Sequence, residues 1–112
     1  MTLLEQYFDC MQRADAVGLA DLFNDVGVLH DASWTKVGED TLHLSGKMAI
    51  EMMFHHKFGF NRGPFKISGI RYMEENVAWY FIVYNGKAVP VVAYLSSVDR
   101  KGKIDRLNIL PM

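Results

Sequence analysis

Asp31 is the residue of this sequence best placed to act as a base. It ends an apolar run, residues 26–31, that reads as a short strand. Side chains alternate along a strand, so Leu29 and Asp31 share a face, and a buried Leu29 would turn Asp31 inward. Desolvation raises the pKa of a carboxyl facing an apolar cavity and makes it a competent base near neutrality. The alternative is that Asp31 caps a turn in solvent.

Two tyrosines could complement this carboxylate. Tyr7 lies on the apolar stripe of the first predicted helix, and Tyr94 lies in a predicted strand. A buried Tyr hydroxyl needs a partner, which can be a substrate oxygen or a backbone carbonyl. Each tyrosine is therefore either a hydrogen-bond donor to a substrate or an ordinary core residue.

The histidines give no metal-binding pattern. His30 and Asp31 are neighbours on a strand, so their side chains point to opposite faces and cannot form a dyad. His55 and His56 lack the i, i+4 spacing that lets two helical histidines share a metal, and His43 lies in a predicted connection. We therefore expect no metal and no cofactor, and nucleotide-binding motifs are also missing.

Composition limits the class of protein. The chain has 112 residues, 50% of them hydrophobic and 22% charged, with a net charge of −1, which predicts one globular domain over residues 1–112. Such a charge argues against nucleic-acid binding, and no apolar run is long enough to span a membrane. The first residues do not resemble a signal peptide. A single cysteine, Cys10, excludes an internal disulfide and suits a cytoplasmic protein.

The elements that must position these residues fall into two halves. A capping box from Thr2 to Glu5 starts the first helix, Asp15 caps a second that ends at Gly27, and Ser45 caps a third over residues 46–57. Residues 32–45 read as a polar irregular connection and 61–64 as a loop. Strands follow at 65–73, 77–84, 87–98 and 103–110. The sequence therefore predicts an α+β fold, with helices on one face of a twisted antiparallel sheet.

Apolar residues occupy both faces of the strand at 77–84. Trp79 and Phe81 lie on one face, and Tyr80 and Ile82 on the other. A sheet covered on one side only should alternate apolar and polar residues, so the second face predicts a homodimer. Methionines cluster in the third helix, where they are either a core stripe or an adaptable pocket lining.

Taken in order, several segments resemble the NTF2-like superfamily, and within it the SnoaL/ketosteroid-isomerase-like branch. The similar segments are Tyr7-Phe8, residues 21–25 and 28–31, the helix start at 45–50, the hairpin at 84–87 and the turn at 99–104. The resemblance implies a cone-shaped fold of three N-terminal helices packed on a strongly curved sheet, an apolar pocket and common dimerisation.

The resemblance also implies roles for the candidate residues. Asp31 matches the proton-shuttling aspartate of ketosteroid isomerases, and Tyr7 matches the tyrosine that donates to the enolate oxygen. Tyr94 stands where that family has a second, acidic donor. Phe23 and Phe54 replace two supporting tyrosines.

Two functions from different classes follow. The first is an enzyme that removes a proton α to the carbonyl of a small, largely apolar compound, as an isomerase, cyclase or dehydratase. The second is a non-catalytic ligand-binding or dimerisation module, and a protein-interaction role like that of the transport-factor branch is a third possibility. The predicted substrate-lining residues are Trp34, Met53, Phe54, Tyr80, Ile82, Leu107 and Ile109.

Overall fold

A computed structural model describes residues 1–59 and 64–112. Its helices are α1 (Leu3–Arg13), α2 (Ala16–Asp21) and α3 (Lys47–Phe58), with a 3₁₀ turn at Ser33–Val37. Its strands are β1 (Phe23–Asp31), β2 (Leu42–Ser45), β3 (Ile67–Glu74), β4 (Val77–Tyr84), β5 (Lys87–Val98) and β6 (Ile104–Pro111). The predicted loop at 61–64 lies outside the described residues except for Pro64.

The six strands form one sheet in the order β2-β1-β6-β5-β4-β3. Every neighbouring pair is antiparallel except β1 and β6, which run parallel. The predicted α+β class is confirmed, and β4 and β5 have the predicted bounds. Asn85 and Gly86 both have positive φ, at 51° and 80°, as the hairpin turn between these strands requires.

The prediction of an irregular connection over residues 32–45 was wrong. This segment contains the 3₁₀ turn and strand β2, which pairs with β1 from Val28↔Ser45 to Asp31↔Leu42. Trp34 and Leu42 are buried and anchor the segment to the core. Such long-range burial is invisible in a stretch that is mostly polar.

The N-terminal caps predicted for α1 and α2 are present in the structure, whereas the cap predicted for α3 is not. Thr2 and Glu5 form the predicted capping box of α1, and the Asp15 side chain accepts from Gly18 N at the start of α2. Gly46, with φ 97°, occupies the N-cap of α3 without a side-chain hydrogen bond, so the predicted cap by Ser45 was wrong. None of the helices in the described ranges combines the length and apolar composition needed to cross a bilayer.

The helices cover one face of the sheet, and the core lies between the two layers. Inward-facing residues alternate along β4 and β5, where Ala78, Tyr80 and Ile82 are buried and Val91 and Ala93 lie beside them. The opposite face of these strands is open. This two-layer arrangement brings the end of β1 into the core.

Strand β1 bends at Gly27, which lies inside the strand and not at a helix exit as the sequence suggested. The register with β6 shifts between Phe23 and Val28. A Cβ at Gly27 would lie 2.7 Å from the Ile104 carbonyl oxygen and 3.1 Å from the Phe23 Cβ. Only glycine lets the two backbones approach this closely, and the bend sets the direction in which β1 delivers Asp31.

We expect Gly27→Ala to lower the free energy of unfolding by about 1–3 kcal/mol, because the added methyl group meets backbone that cannot rotate away. Urea unfolding measures the change. The comparison variant is Gly38→Ala, where nothing lies within 4 Å but φ is 80°. In Gly38→Ala, the free energy of unfolding should fall only by the cost of placing alanine in left-handed backbone, about 1–2 kcal/mol. An unchanged stability of Gly27→Ala would contradict the close approach.

Candidate functional site

Asp31 is the last residue of β1, and its side chain is completely buried. One carboxylate oxygen, Oδ1, accepts a hydrogen bond from the Ser33 backbone N at 2.9 Å and another from Ser33 Oγ at 2.5 Å. This is an Asx-type turn, in which the side chain holds the backbone two residues on. Asp31 therefore caps a turn, as the alternative expected, but it does so inside the protein and not in solvent.

A third side chain extends this network. The Tyr84 hydroxyl on β4 lies 2.9 Å from Ser33 Oγ. The Ser33 hydroxyl has a single proton, which it gives to the Asp31 carboxylate when that group is ionised, so Tyr84 must then be the donor to Ser33. The hydrogen bonds run from Tyr84 through Ser33 to Asp31 and link the end of β4 to the end of β1.

Two buried polar atoms beside this network have no hydrogen-bond partner. They are Asp31 Oδ2, the second carboxylate oxygen, and the indole nitrogen Nε1 of Trp34. The two atoms are complementary to each other, because one accepts and the other donates, but they do not reach normal hydrogen-bond geometry, and a water or ligand atom between them would satisfy both. Buried polar groups are rarely left unpaired, and such exceptions occur at functional sites or where a water binds.

Trp34 is fixed from both sides. Its ring stacks on Tyr84 with centroids 4.0 Å apart and an interplanar angle of 21°. The Lys57 ammonium lies 3.9 Å from the centre of the Trp34 ring and forms an ion pair with Glu39 at 3.0 Å. The lysine is almost fully buried, and these contacts satisfy its charge.

Burial raises the pKa of Asp31 from its ordinary 3.8 to about 6. The hydrogen bonds from Ser33 oppose this rise, and so do a weaker hydrogen bond from the Trp34 side chain and the charge of Lys57. Burial and the Asp31 charge together raise the pKa of Tyr80 and Tyr84 well above the ordinary range. At neutral pH the site therefore holds an ionised carboxylate beside protonated phenols.

Tyr7 belongs to this cluster, whereas Tyr94 does not. Tyr7 is buried, and its pKa is raised first by burial and then by Tyr80 and Asp31. Tyr94 is 48% exposed on the outer face of β5, and Ala93 and Leu95 fill the inward positions. The prediction that Tyr94 faces the site was wrong, because a shift of one residue turns a strand side chain to the other face.

The predicted lining residues lie around the site, but they fill the space. Met53 is partly buried against the core, and all the others are core residues at most 2% exposed: Trp34, Phe54, Tyr80, Ile82, Leu107 and Ile109. Two surface cavities lined by described residues, of about 490 and 360 Å³, do not reach Asp31 or Tyr7. The expected open pocket is therefore not seen in the part of the chain that the structure describes.

Sequence reasoning missed Ser33, Tyr84 and Lys57 as members of this cluster. The Asp-x-Ser spacing is a local signal for an Asx turn and could have identified Ser33. Tyr84 was assigned to its strand but not to the site. No sequence signal predicts the burial of Lys57, which depends on the distant Trp34 ring.

Comparisons with known proteins give matches in structure but not in sequence. No protein-family model and no curated protein matches the chain. An NTF2-like protein of unknown function from Burkholderia xenovorans superposes with a TM-score of 0.66 at 19% identity, over 97% of this chain and 79% of that one. A candidate ketosteroid isomerase from Kribbella flavida gives 0.67 at 14% identity, over 98% and 75%.

The chain has the NTF2-like fold. A third similar structure, a protein of ketosteroid-isomerase-like fold from Catenulispora acidiphila in complex with trimethylamine, has a TM-score of 0.66 at 16% identity, over 97% of this chain and 85% of that one. The predicted resemblance to the NTF2-like superfamily is confirmed at the level of the fold. An NTF2-like fold hosts many functions, so the activity must be argued from the site itself.

The raised pKa of Asp31 predicts how stability depends on pH. The native state holds the Asp31 proton more tightly than the unfolded chain does, so its contribution to stability should fall as the pH rises from about 4 to about 6. Asp31→Asn keeps an oxygen acceptor for Ser33 and removes the charge. Relative to wild type, the variant should gain about 3 kcal/mol across this window.

Urea unfolding of both proteins at a series of pH values measures this gain. The difference between them isolates Asp31 from the other titrating groups. A difference that stays constant with pH would contradict a raised pKa.

Proposed function

We propose that the protein catalyses proton transfer at a carbon α to the carbonyl of a small, largely apolar compound, as an isomerase, cyclase or dehydratase. One observation carries this proposal. A completely buried carboxylate of raised pKa, Asp31, has one oxygen without a hydrogen bond of normal geometry, and the nearby Trp34 N–H interacts with the carboxylate only weakly. A base of this pKa is largely ionised at neutral pH and can still hold a proton long enough to return it.

The roles of the site residues follow from their hydrogen bonds. Asp31 Oδ2 takes the proton as the α C–H bond breaks, and the electron pair moves to the carbonyl oxygen. The O–H of Tyr7 or the N–H of Trp34 donates to that oxygen, which is the interaction that lowers the barrier to an enolate. Asp31 then returns the proton to another carbon, while Ser33 keeps Oδ1 occupied and aims Oδ2 at the substrate.

Access to Asp31 requires side chains to move. Exposure rises along the series Asp31, Trp34, Lys57 and Glu39, from fully buried to partly exposed. The Lys57–Glu39 ion pair is therefore the outermost layer over the Trp34 ring. A ligand that contacts Asp31 Oδ2 from this side displaces that pair and part of the indole.

The test uses 3-cyclohexen-1-one, whose conversion to the conjugated ketone is followed by ultraviolet absorbance. Exchange of α protons of saturated cyclic ketones in D₂O, followed by NMR, covers substrates that cannot isomerise. We expect Asp31→Asn to lower kcat by about 10²–10⁴-fold, because it removes the general base. In the wild type, kcat/KM should rise with pH around a midpoint near 6.

The control is Asp9→Asn, which removes an exposed carboxylate that pairs with Arg13 on α1. It should leave the rate unchanged. An Asp31→Asn variant as active as wild type would exclude Asp31 as the base. Binding of the ketones with no turnover or exchange in the wild type would favour the second function.

The second candidate is a dimerisation module on the same fold, and the open face of the sheet favours it. Five large apolar residues on or beside β4, β5 and β6, here called the outer patch, are each 41–54% exposed: Trp79, Phe81, Tyr94, Leu110 and Met112. Trp79 is joined to Leu110 through Val92 by direct strand pairing. A contiguous apolar surface of this kind marks an interface, and we propose that a second copy of the chain covers it.

Phe81→Glu should convert the proposed dimer to a monomer, because it places a charge within the outer patch. Analytical ultracentrifugation of the wild type and the variant measures the mass. Met48→Glu is the matched control, since Met48 is 79% exposed on α3 and far from the patch in sequence. A monomeric wild type, or a Phe81→Glu variant that stays dimeric, would overturn this interface.

A further inference from the structure

Two histidines meet on the outer face of the sheet, on β1 and β2, next to the β6 margin of the outer patch. His30 on β1 pairs directly with His43 on β2, and their Nδ1 atoms lie 3.2 Å apart. Both side chains turn away from the core, because their neighbours Leu29, Asp31 and Leu42 are the buried residues of these strands. Neither function proposed above uses this pair.

We propose that His30 and His43 form a binding site for a late divalent first-row metal ion, such as Zn²⁺, Ni²⁺ or Cu²⁺. Imidazole nitrogens bind these ions at about 2.0–2.1 Å. Two such bonds at an angle between square and tetrahedral place the nitrogens about 2.9–3.4 Å apart. The separation of the two Nδ1 atoms lies within this interval, so a metal can replace the proton that the rings share, with little rearrangement.

The backbone holds the two rings at this separation. The pairs Leu29↔Leu44 and Asp31↔Leu42 flank His30↔His43 in an unbroken antiparallel ladder. Directly opposed residues of such a ladder have Cβ atoms about 4.5–5.5 Å apart, which suits two ligands of one ion. The site is therefore largely preorganised, unlike a pair of histidines on a loop.

The remaining coordination positions are open to water. Within the described ranges, no group of three or more His, Cys, Asp or Glu side chains is placed to hold a metal. Asn108 lies beside His30 in β6, but its Oδ1 already accepts from Arg106 Nε at 3.1 Å. A two-histidine site completed by water binds weakly and exchanges readily, and it favours Cu²⁺ over Zn²⁺.

This inference departs from the expectation that the chain has no metal site. That expectation treated His43 as part of an irregular connection and sought ligand pairs on a helix. Strand β2 makes a shared metal site possible, because its pairing with β1 brings together two histidines that have no informative spacing in the sequence.

The experiment titrates the 112-residue chain, without a histidine tag, with Cu²⁺, Ni²⁺ and Zn²⁺ in isothermal calorimetry. We expect one ion per chain, bound most tightly as Cu²⁺. His30→Asn and His43→Asn should each weaken binding by about tenfold or more, since each removes a ligand. The electron paramagnetic resonance spectrum of bound Cu²⁺ should show two imidazole nitrogens in the wild type and one in either variant.

The control is the double variant His55→Asn/His56→Asn on α3, which removes two imidazoles from a pair of neighbouring helical residues. It should leave affinity and spectrum unchanged. Binding that survives both strand variants, or that disappears in the helix control, would overturn the proposal. Circular dichroism of each variant separates loss of a ligand from loss of the fold.

Discussion

The burial of one carboxylate at the end of β1 constrains the rest of this structure. Asp31 is removed from water, so its oxygens must find donors within the protein. Ser33 provides two of them only because the chain turns sharply after β1. That turn places Trp34 in the core, where it packs between Tyr84 and the Lys57 ammonium. The stacked layer that closes the core is thus a consequence of how Asp31 is satisfied.

Only one of the two oxygens of Asp31 is well hydrogen-bonded, and the proposed function depends on this asymmetry. Oδ1 has two donors, whereas Oδ2 has none. The shift of the Asp31 pKa from 3.8 to about 6 corresponds to about 3 kcal/mol against the ionised form in the folded protein. A fold optimised for stability alone would place an amide or an apolar residue here. Strongly shifted, desolvated carboxylates are more typical of sites where a proton is moved.

The parts of the fold that could be predicted from the sequence are those specified by local chemistry. The Asn85-Gly86 turn and the flanking β-branched and aromatic residues define β4 and β5, and the Thr2 box defines the start of α1. The face of Tyr94 could not be predicted, because apolar residues occupy both faces of β5 and alternation gives no direction there. Strand β2 and the burial of Lys57 depend on contacts between distant segments, which no short pattern records.

Strand alternation also explains how one segment can contribute to two sites with opposite requirements. Asp31 points inward, where the absence of water makes a carboxylate basic, and His30 points outward, where water can complete the shell of a metal ion. The sheet order places β6 and β5 between the histidine pair and Trp79. A dimer formed through the outer patch would therefore leave the pair at the margin of the interface and would not require it. The buried Asp31 site, the outer patch and the histidine pair can each be disrupted by a separate substitution. The failure of one proposal therefore leaves the other two open to test.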